Sequence, residues 1–264
     1  YSPSNYVGKP IICTNPCAEV PLEDGGACNL GSINLSRFIN NGFTPEASID
    51  WDQLAESTDT LVRFLDNVVT WNEDLNALEK QRKAASETRR LGLGVMGIAD
   101  MLNQLGISYD SEQGSMMIEK VMEYITNAAY QASSFIAKEK SPSPIFNEKS
   151  YMKCPFVKEA LSDQTHSMIR KNGLRNIAIM SIAPTGSISN IVLGYKGKEK
   201  NYIGVSGGVE PIFSVFYTRR SESFGNKFFK VFHSTVQAYI DIHGLQDSVD
   251  AADNIDSVLP EYLT

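Results

Sequence analysis

The sequence lacks long hydrophobic runs and an excess of basic residues. No stretch of the 264 residues approaches the roughly 18 consecutive apolar residues of a membrane span. Acidic residues outnumber basic ones by 31 to 24, which gives a net charge of −7, whereas nucleic-acid-binding surfaces usually carry a basic stripe. We therefore expect no membrane association and no nucleic-acid polymer as partner. Small anionic substrates remain compatible, because local dipoles can hold a phosphate on an acidic protein.

Cysteine is also scarce, with four in the chain: Cys13, Cys17, Cys28 and Cys154. That density is too low for the disulfide framework of a secreted domain, so we expect a reducing, cytoplasmic compartment. In such a compartment a cluster of cysteines is metal-binding or catalytic. A zinc site at the first three is disfavoured, because no fourth ligand completes the set, and we expect no metal.

The residues that are present have an ordinary globular composition, 42% hydrophobic and 21% charged. Apolar runs bounded by turn residues alternate with helical patterns, which indicates an α/β protein. No internal repeat or linker divides residues 1–264, so we expect one domain. Predicted helices cover about 50–72, 98–105, 111–140, 156–171 and 226–243. Predicted buried strands cover 176–182 and 212–217, and residues 91–97 are predicted to be a short buried strand or turn, because their glycines make a poor helix interior. Residues 73–90 are expected to be exposed, and helical at first.

The first candidate site is the segment Asn15-Pro16-Cys17-Ala18-Glu19. Proline disfavours a regular helix there, so we expect a loop or turn. In an extended segment the side chains of Asn15, Cys17 and Glu19 would point the same way and meet on one ligand. Glu19 would then be placed to act as a general base. A turn with a buried cysteine and a solvent-facing glutamate explains the same spacing.

The second candidate is Ala183-Pro184-Thr185-Gly186-Ser187-Ile188-Ser189, directly after a predicted buried strand. Backbone N–H groups at a helix start, together with hydroxyl groups, suit a phosphate. The Gly-Lys-Ser/Thr ending of a Walker A loop is absent. A plain strand-to-helix turn is the alternative.

A GxGxxG pattern occurs at Gly92-Leu93-Gly94-Val95-Met96-Gly97. A dinucleotide-binding fold needs a strand immediately before this pattern, and the charged residues 86–90 do not form one. We therefore interpret these glycines as sites of close backbone packing. The alternative hypothesis of a nicotinamide-dependent dehydrogenase rests on this pattern alone.

Taken together, these segments resemble the large, catalytic subunit of ribonucleotide reductases. Asn15–Glu19 resembles the finger-loop motif of that family, and Gly26–Leu35 resembles the block that carries one redox cysteine, here Cys28. Arg89–Gly97 is similar to a barrel strand leading into a helix, and Ala183–Ser189 to the loop that binds the substrate phosphate. Later blocks at Val205–Pro211 and Tyr217–Arg220 follow in the same order.

The resemblance implies a ten-stranded α/β barrel around a central finger loop, and the reduction of ribonucleoside di- or triphosphates to deoxyribonucleotides. Cys17 would form a transient thiyl radical that abstracts the ribose 3′ hydrogen. Glu19 would accept the 3′-hydroxyl proton, and Asn15 would hold a ribose hydroxyl. Cys28 would be one of two thiols that end as a disulfide. The implied phosphate-binding residues are Pro184, Thr185, Gly186, Ser187 and Ile188.

The resemblance also implies partners. The second redox thiol and the allosteric region lie before position 1 in the family, and the last barrel strands and a cysteine-bearing tail lie after position 264. We therefore expect a segment of a larger subunit that is inactive alone. The motif style favours adenosylcobalamin as the radical source; the alternative is a separate metal-containing radical subunit. The expected reductant is of the thioredoxin or glutaredoxin type.

Two further interpretations stay open at this stage. The chain is either a non-catalytic module that binds nucleotide phosphates, or one piece of a split reductase. The first is motivated by the missing redox partner and the intact phosphate loop.

Overall fold

The structure is a computed structural model that describes residues 1–197, 199–221 and 227–264. It is a mixed α/β fold. The helices are α1 (Trp51–Asn72), α2 (Glu79–Thr88), α3 (Ile98–Gln104), α4 (Glu112–Lys140), α5 (Glu148–Tyr151), α6 (Pro155–Ala160), α7 (Asp163–Asn172), α8 (Ser234–His243) and α9 (Gln246–Ala251). The strands are β1 (Cys13–Thr14), β2 (Pro21–Leu22), β3 (Asn29–Asn34), β4 (Ile39–Asn40), β5 (Ser48–Ile49), β6 (Leu91–Met96), β7 (Leu193–Lys196), β8 (Asn201–Ile203), β9 (Phe216–Ser221) and β10 (Lys227–Phe232).

The described strands pair two by two, as β1–β2, β3–β6, β4–β5, β7–β8 and β9–β10. Within the described part of the chain these sheets do not close into a barrel. The α/β class is thus confirmed, and the ten-stranded barrel is not visible in this chain by itself.

The chain divides into two compact units. Unit 1 comprises residues 1–33, 51–95 and 119–184, and unit 2 comprises residues 34–50, 96–118 and 185–264. The expectation of a single barrel segment over 1–264 remains a prediction.

The first five residues of β6, 91–95, belong to unit 1, and all six residues of the strand are buried. The predicted strand over 176–182 is extended chain that runs parallel to β6, bridging Leu93 to Met180. Leu93 N donates to Ile179 O, and Ser181 N donates to Leu93 O. A strand buried on both faces reads as a continuous apolar run, which is how the sequence indicated residues 176–182. Residues 91–97 were indicated by their glycines, which disfavour a helix interior.

The helices predicted over about 50–72 and 111–140 are confirmed as α1 and α4. In α1 the buried positions include Leu54, Thr58, Val62 and Leu65, which lie at three- and four-residue spacing on one face. The Ser111 hydroxyl accepts a hydrogen bond from Gly114 N at the start of α4, as expected for a capping serine.

Several local predictions were wrong. Residues 73–78 are not helical, and helix α2 begins only at Glu79. Arg89 and Arg90 are buried rather than exposed. The helix predicted over 156–171 is split into α6 and α7, because Ser162 caps the second of them by accepting from Thr165 N. The buried strand predicted at 212–217 begins only at Phe216. It is not buried either, since the Phe213 and Tyr217 side chains are exposed.

The C-terminal helix also starts later than predicted. Lys227–Phe232 is β10, which pairs antiparallel with β9, and the helix begins at Ser234; Asn226 lies outside the described residues. The Phe216 and Phe232 rings pack with centroids 5.6 Å apart. Aromatic side chains favour a strand when a partner strand is available. The helix was predicted from local sequence alone, which does not show that β9 pairs with this segment.

Candidate active site

Cys17 lies at the tip of a short hairpin in unit 1. Strands β1 and β2 pair Cys13 with Leu22 and Thr14 with Pro21, so residues 15–20 form the connecting loop. Ala18 N donates to Asn15 O, and Ala18 has a positive φ of 63°. The segment is therefore a turn, and the extended geometry considered from the sequence does not apply. The turn leaves the Cys17 thiol exposed, with no hydrogen-bond partner among the residues that the structure describes.

Asn15 is used inside this hairpin. Its side-chain Oδ1 accepts from Val20 N at 3.0 Å, as asparagine commonly does in turns. Its Nδ2 has no acceptor in the described part of the chain, so the amide keeps one group for a ligand.

Glu19 is anchored through its backbone. The Ser181 hydroxyl donates to Glu19 O at 2.9 Å, which ties the hairpin to the segment beside β6. The carboxylate oxygen Oε2 is buried and has no donor among the described residues. A buried acceptor without a partner is energetically costly. Oε2 is therefore available to accept a hydrogen bond from a ligand hydroxyl group.

Cys28 directly precedes β3 and is half-buried. Burial raises the pKa of its thiol to about 12, Arg90 acts to lower it, and the Glu19 and Glu23 carboxylates act to raise it. Glu19 and Cys28 are thus electrostatic neighbours, and at neutral pH Cys28 is a protonated thiol that can donate hydrogen.

A buried ion pair lies beside Cys28. Arg90 Nη2 donates to Glu23 Oε2 at 2.5 Å and to Ser4 Oγ at 2.6 Å. Both charged side chains are at most 4% exposed. The sequence analysis did not single out either residue, because an arginine and a glutamate 67 positions apart carry no local signal of pairing.

The predicted phosphate turn belongs to unit 2, except for Pro184, which ends unit 1. Thr185 is buried with φ of 54°, and its hydroxyl accepts from Gly208 N at 2.9 Å. Gly186, Ser187 and Ile188 are exposed. The backbone N–H groups of these three residues have no acceptor within the described ranges. Adjacent free N–H groups in a turn are the donors that an anion requires.

Asp100 is a buried acid in unit 2 that the sequence analysis missed. Its Oδ2 accepts from both the N–H and the hydroxyl of Ser206, each at 2.7 Å, and its Oδ1 accepts from the Thr235 hydroxyl. Ser206 lies two residues before Gly208, whose N–H donates to Thr185. Asp100 therefore fixes the backbone segment that contacts Thr185 in the predicted phosphate turn.

The GxGxxG pattern forms β6 and the start of α3 rather than a phosphate loop. A Cβ on Gly94 would lie 2.3 Å from Ser181 O, so the close-packing interpretation is confirmed at this position. Gly97 adopts φ of 72° at the start of α3. The dehydrogenase hypothesis therefore loses its only support, because the glycine pattern that suggested it forms a buried strand.

The other two cysteines have separate environments. Cys13 is exposed, and Cys154 is buried with its thiol donating to Tyr1 O at 3.1 Å. Over residues 1–197, 199–221 and 227–264, no group of three or more His, Cys, Asp and Glu side chains could hold a metal ion. In the same ranges no helix is both long and apolar enough to span a membrane.

Comparison with known proteins gives a consistent result. The family model described as ribonucleotide reductase, barrel domain, matches residues 2–259. The chain is 37% identical over 209 residues to the vitamin B12-dependent ribonucleoside-diphosphate reductase of Mycobacterium tuberculosis, covering 79% of this chain and 25% of that protein. For the protein of the same name from Thermoplasma acidophilum the identity is 37% over 218 residues, covering 83% and 24%.

A relative with a different name has a lower sequence identity to this chain. The ribonucleoside-diphosphate reductase subunit alpha of Chlamydia pneumoniae is 31% identical over 249 residues, covering 84% of this chain and 22% of that protein. The chain thus spans about a quarter of the length of the curated relatives it matches.

Proposed function

The chain belongs to the ribonucleotide reductase family, as part of the large subunit, and from this premise we propose that the complete protein reduces ribonucleotides with Cys17 as the radical-bearing residue. The observation that carries the proposal is the match of the family model over residues 2–259. The exposed Cys17 thiol on its hairpin supports it, because the reacting sulfur must reach both the substrate and an external radical source.

The proposed reaction uses three side chains of unit 1. The Cys17 thiyl radical takes the ribose 3′ hydrogen and returns it at the end. Glu19 accepts the 3′-hydroxyl proton as the 2′-hydroxyl leaves as water. Cys28 and a second thiol supply two electrons and two hydrogens, so that one ribonucleotide and two thiols give one deoxyribonucleotide, one water and one disulfide. The unpartnered Oε2 of Glu19 and the protonated state of Cys28 support these roles.

The substrate phosphates are proposed to bind at Pro184–Ile188. The free N–H groups of Gly186, Ser187 and Ile188 would donate to phosphate oxygens. Thr185 is a positioning residue in this proposal, since its hydroxyl is taken up by Gly208 N. Asn15 would donate from its Nδ2 to a ribose hydroxyl.

Adenosylcobalamin is the proposed radical source, on the names of the relatives from M. tuberculosis and T. acidophilum. When bound, this cofactor would supply the radical that oxidises Cys17. The cavities of about 610, 340 and 480 Å³ in unit 1 do not include Cys17 in their linings, so these cavities do not fit a corrin beside the thiol. We assign no residue of this chain to holding the cofactor, and a radical-generating subunit is the alternative.

The remaining parts of the proposal concern the whole protein. The chain would complete a ten-stranded barrel together with other segments of the same subunit, in the cytoplasm, and a thioredoxin- or glutaredoxin-type dithiol would reduce the disulfide. The mixed α/β fold, with β6 buried and parallel to 178–181, supports a place inside such a barrel.

The test is Cys17→Ser in the complete protein, with Cys13→Ser as control. Cys13 is another exposed cysteine of the same hairpin to which no role is assigned. We expect Cys17→Ser to abolish deoxyribonucleotide formation while nucleotide binding persists, and Cys13→Ser to retain turnover. Retained turnover in Cys17→Ser would refute the proposal. No turnover in the unmodified protein under any reconstitution would favour a non-catalytic nucleotide-binding module.

A further inference from the structure

A cavity of about 340 Å³ in unit 1 lies beside Cys28. Val68, Trp71 and Leu75 provide much of its apolar wall, and Cys28, Asn29 and Arg90 provide polar groups. The Cys28 thiol is half-buried, so charged groups close to it act on it more strongly than they would in bulk water.

The Arg90 guanidinium is incompletely paired. It contacts Glu23 through one nitrogen and one oxygen, and its Nε has no acceptor among the described residues. The other carboxylate oxygen of Glu23, Oε1, is also buried without a donor. Arginine and carboxylate commonly pair through two parallel hydrogen bonds, and this pair does not. Arg90, which lines the Cys28 cavity and is 4% exposed, therefore keeps a free donor in its Nε.

We propose that Arg90 is a positioning residue for Cys28, whose guanidinium stabilises the Cys28 thiolate, and that Glu23 limits this effect by pairing with Arg90. The proposal rests on the proposed function, which makes Cys28 half of a redox disulfide. When the dithiol reductant attacks the partner sulfur, a new S–S bond forms and the old one breaks. The electron pair leaves on the Cys28 sulfur, which later takes a proton.

Three charged groups act on Cys28, and they come from different segments. Arg90 precedes β6 and favours the thiolate, whereas Glu19 in the hairpin and Glu23 after β2 oppose it. Substitution of Arg90 and substitution of Glu23 should therefore change thiol reactivity in opposite directions. A purely structural ion pair would give changes in the same direction, since the loss of either partner loosens the same region.

The experiment is alkylation by iodoacetamide at pH 9 on the complete protein, with rates resolved for each cysteine by peptide mass spectrometry. Because one pKa unit changes the thiolate fraction about tenfold, we expect Arg90→Gln to slow Cys28 about tenfold and Glu23→Gln to accelerate it about tenfold. Arg90→Lys should restore a rate near that of the unmodified protein. Arg63→Gln, which removes an exposed arginine paired with Glu139, should leave the rate unchanged.

Cys154, which is fully buried, reports on local opening in the same sample. Acceleration of Cys28 in Glu23→Gln with Cys154 unchanged supports the proposal; acceleration of both overturns it. Rates that move in the same direction in Arg90→Gln and Glu23→Gln also overturn it. If Arg90→Gln does not fold, Glu23→Gln decides alone. Alkylation requires no turnover, so inactivity of the enzyme, which bears on the proposed function, is measured separately.

Discussion

Gly92 and Cys28 occupy adjoining space, such that a Cβ on Gly92 would lie 2.8 Å from the Cys28 Sγ. A glycine in the middle of a buried strand weakens it unless another group needs the room. Here the absent side chain leaves room for the Leu30 side chain, whose Cδ2 a Cβ would meet at 2.3 Å, and for the thiol that we propose to be redox-active. The position of Cys28 against β6 therefore depends on Gly92.

Gly92→Ala should lower the free energy of unfolding by about 1–3 kcal/mol, because overpacking a core forces neighbours to move. Gly94→Ala should lower the free energy of unfolding further, since its Cβ would lie 2.3 Å from the Ser181 carbonyl oxygen. A backbone atom can move away less easily than a side-chain atom. Urea denaturation measures both. The control is Gly186→Ala, whose Cβ would have no neighbour within 4 Å; a loss there equal to that of Gly94→Ala would contradict the argument.

Asp66→Asn should destabilise unit 1 strongly. Asp66 accepts from Arg89 Nε at 2.9 Å and from Asn176 Nδ2 at 3.0 Å, and its side chain is fully buried. Removing one partner of a buried ion pair costs about 3 kcal/mol or more.

The matched control for Asp66→Asn is Arg63→Gln, which breaks a bidentate but exposed ion pair with Glu139. An exposed pair is worth at most about 1 kcal/mol. Chemical denaturation of both variants checks the difference, and equal losses would show that burial does not set the cost.

Thr185→Ala should weaken nucleotide binding. Loss of the hydroxyl leaves Gly208 N without its acceptor and frees the turn. A hydrogen bond of this kind contributes about 1 kcal/mol, so affinity should fall about fivefold. Thr185→Ser keeps the acceptor and should bind like the unmodified protein. Isothermal titration of the complete protein measures this, and equal weakening in both variants would mean that the hydroxyl is not what positions the turn.

His233 should make unit 2 sensitive to acid. Burial lowers the pKa of His233 below 6.5, against the opposing effect of Asp100. The unfolded chain then binds more protons, so stability from this group is present above about pH 6.5 and is lost as pH falls through the lower folded-state pKa. The rate of amide hydrogen exchange in α8 should therefore rise as the pH falls. Once His233 Nδ1 is protonated, it cannot accept a hydrogen bond from Thr235 N.

His233→Ser is the control for that pH dependence. Serine is a good residue at the start of a helix and does not titrate, so exchange in α8 should vary less with pH. An unchanged pH profile in His233→Ser would assign the effect to another group.

The amino-acid sequence by itself determined the family and the local elements with a strong period. Ordered motifs from Asn15 to Arg220 led to the ribonucleotide reductases, and the match of the family model confirmed that family. Helices α1 and α4 followed from apolar spacing and a capping serine, because both signals lie within a few residues of one another in the chain. The buried segment at 176–182 followed from a continuous apolar run, and a buried strand or turn at 91–97 followed from glycines that disfavour a helix interior.

Only the tertiary structure decided which charged residues are buried. Arg89 and Arg90 follow a polar stretch and were expected to be exposed, yet their partners Asp66 and Glu23 lie 23 and 67 positions away. Asp100 likewise meets Ser206 across 106 positions. An ionisable side chain can be buried only when a partner compensates its lost hydration. Such partners are distant in sequence, so the environment of Cys28 and the support of the Thr185 turn arise from folding rather than from local pattern.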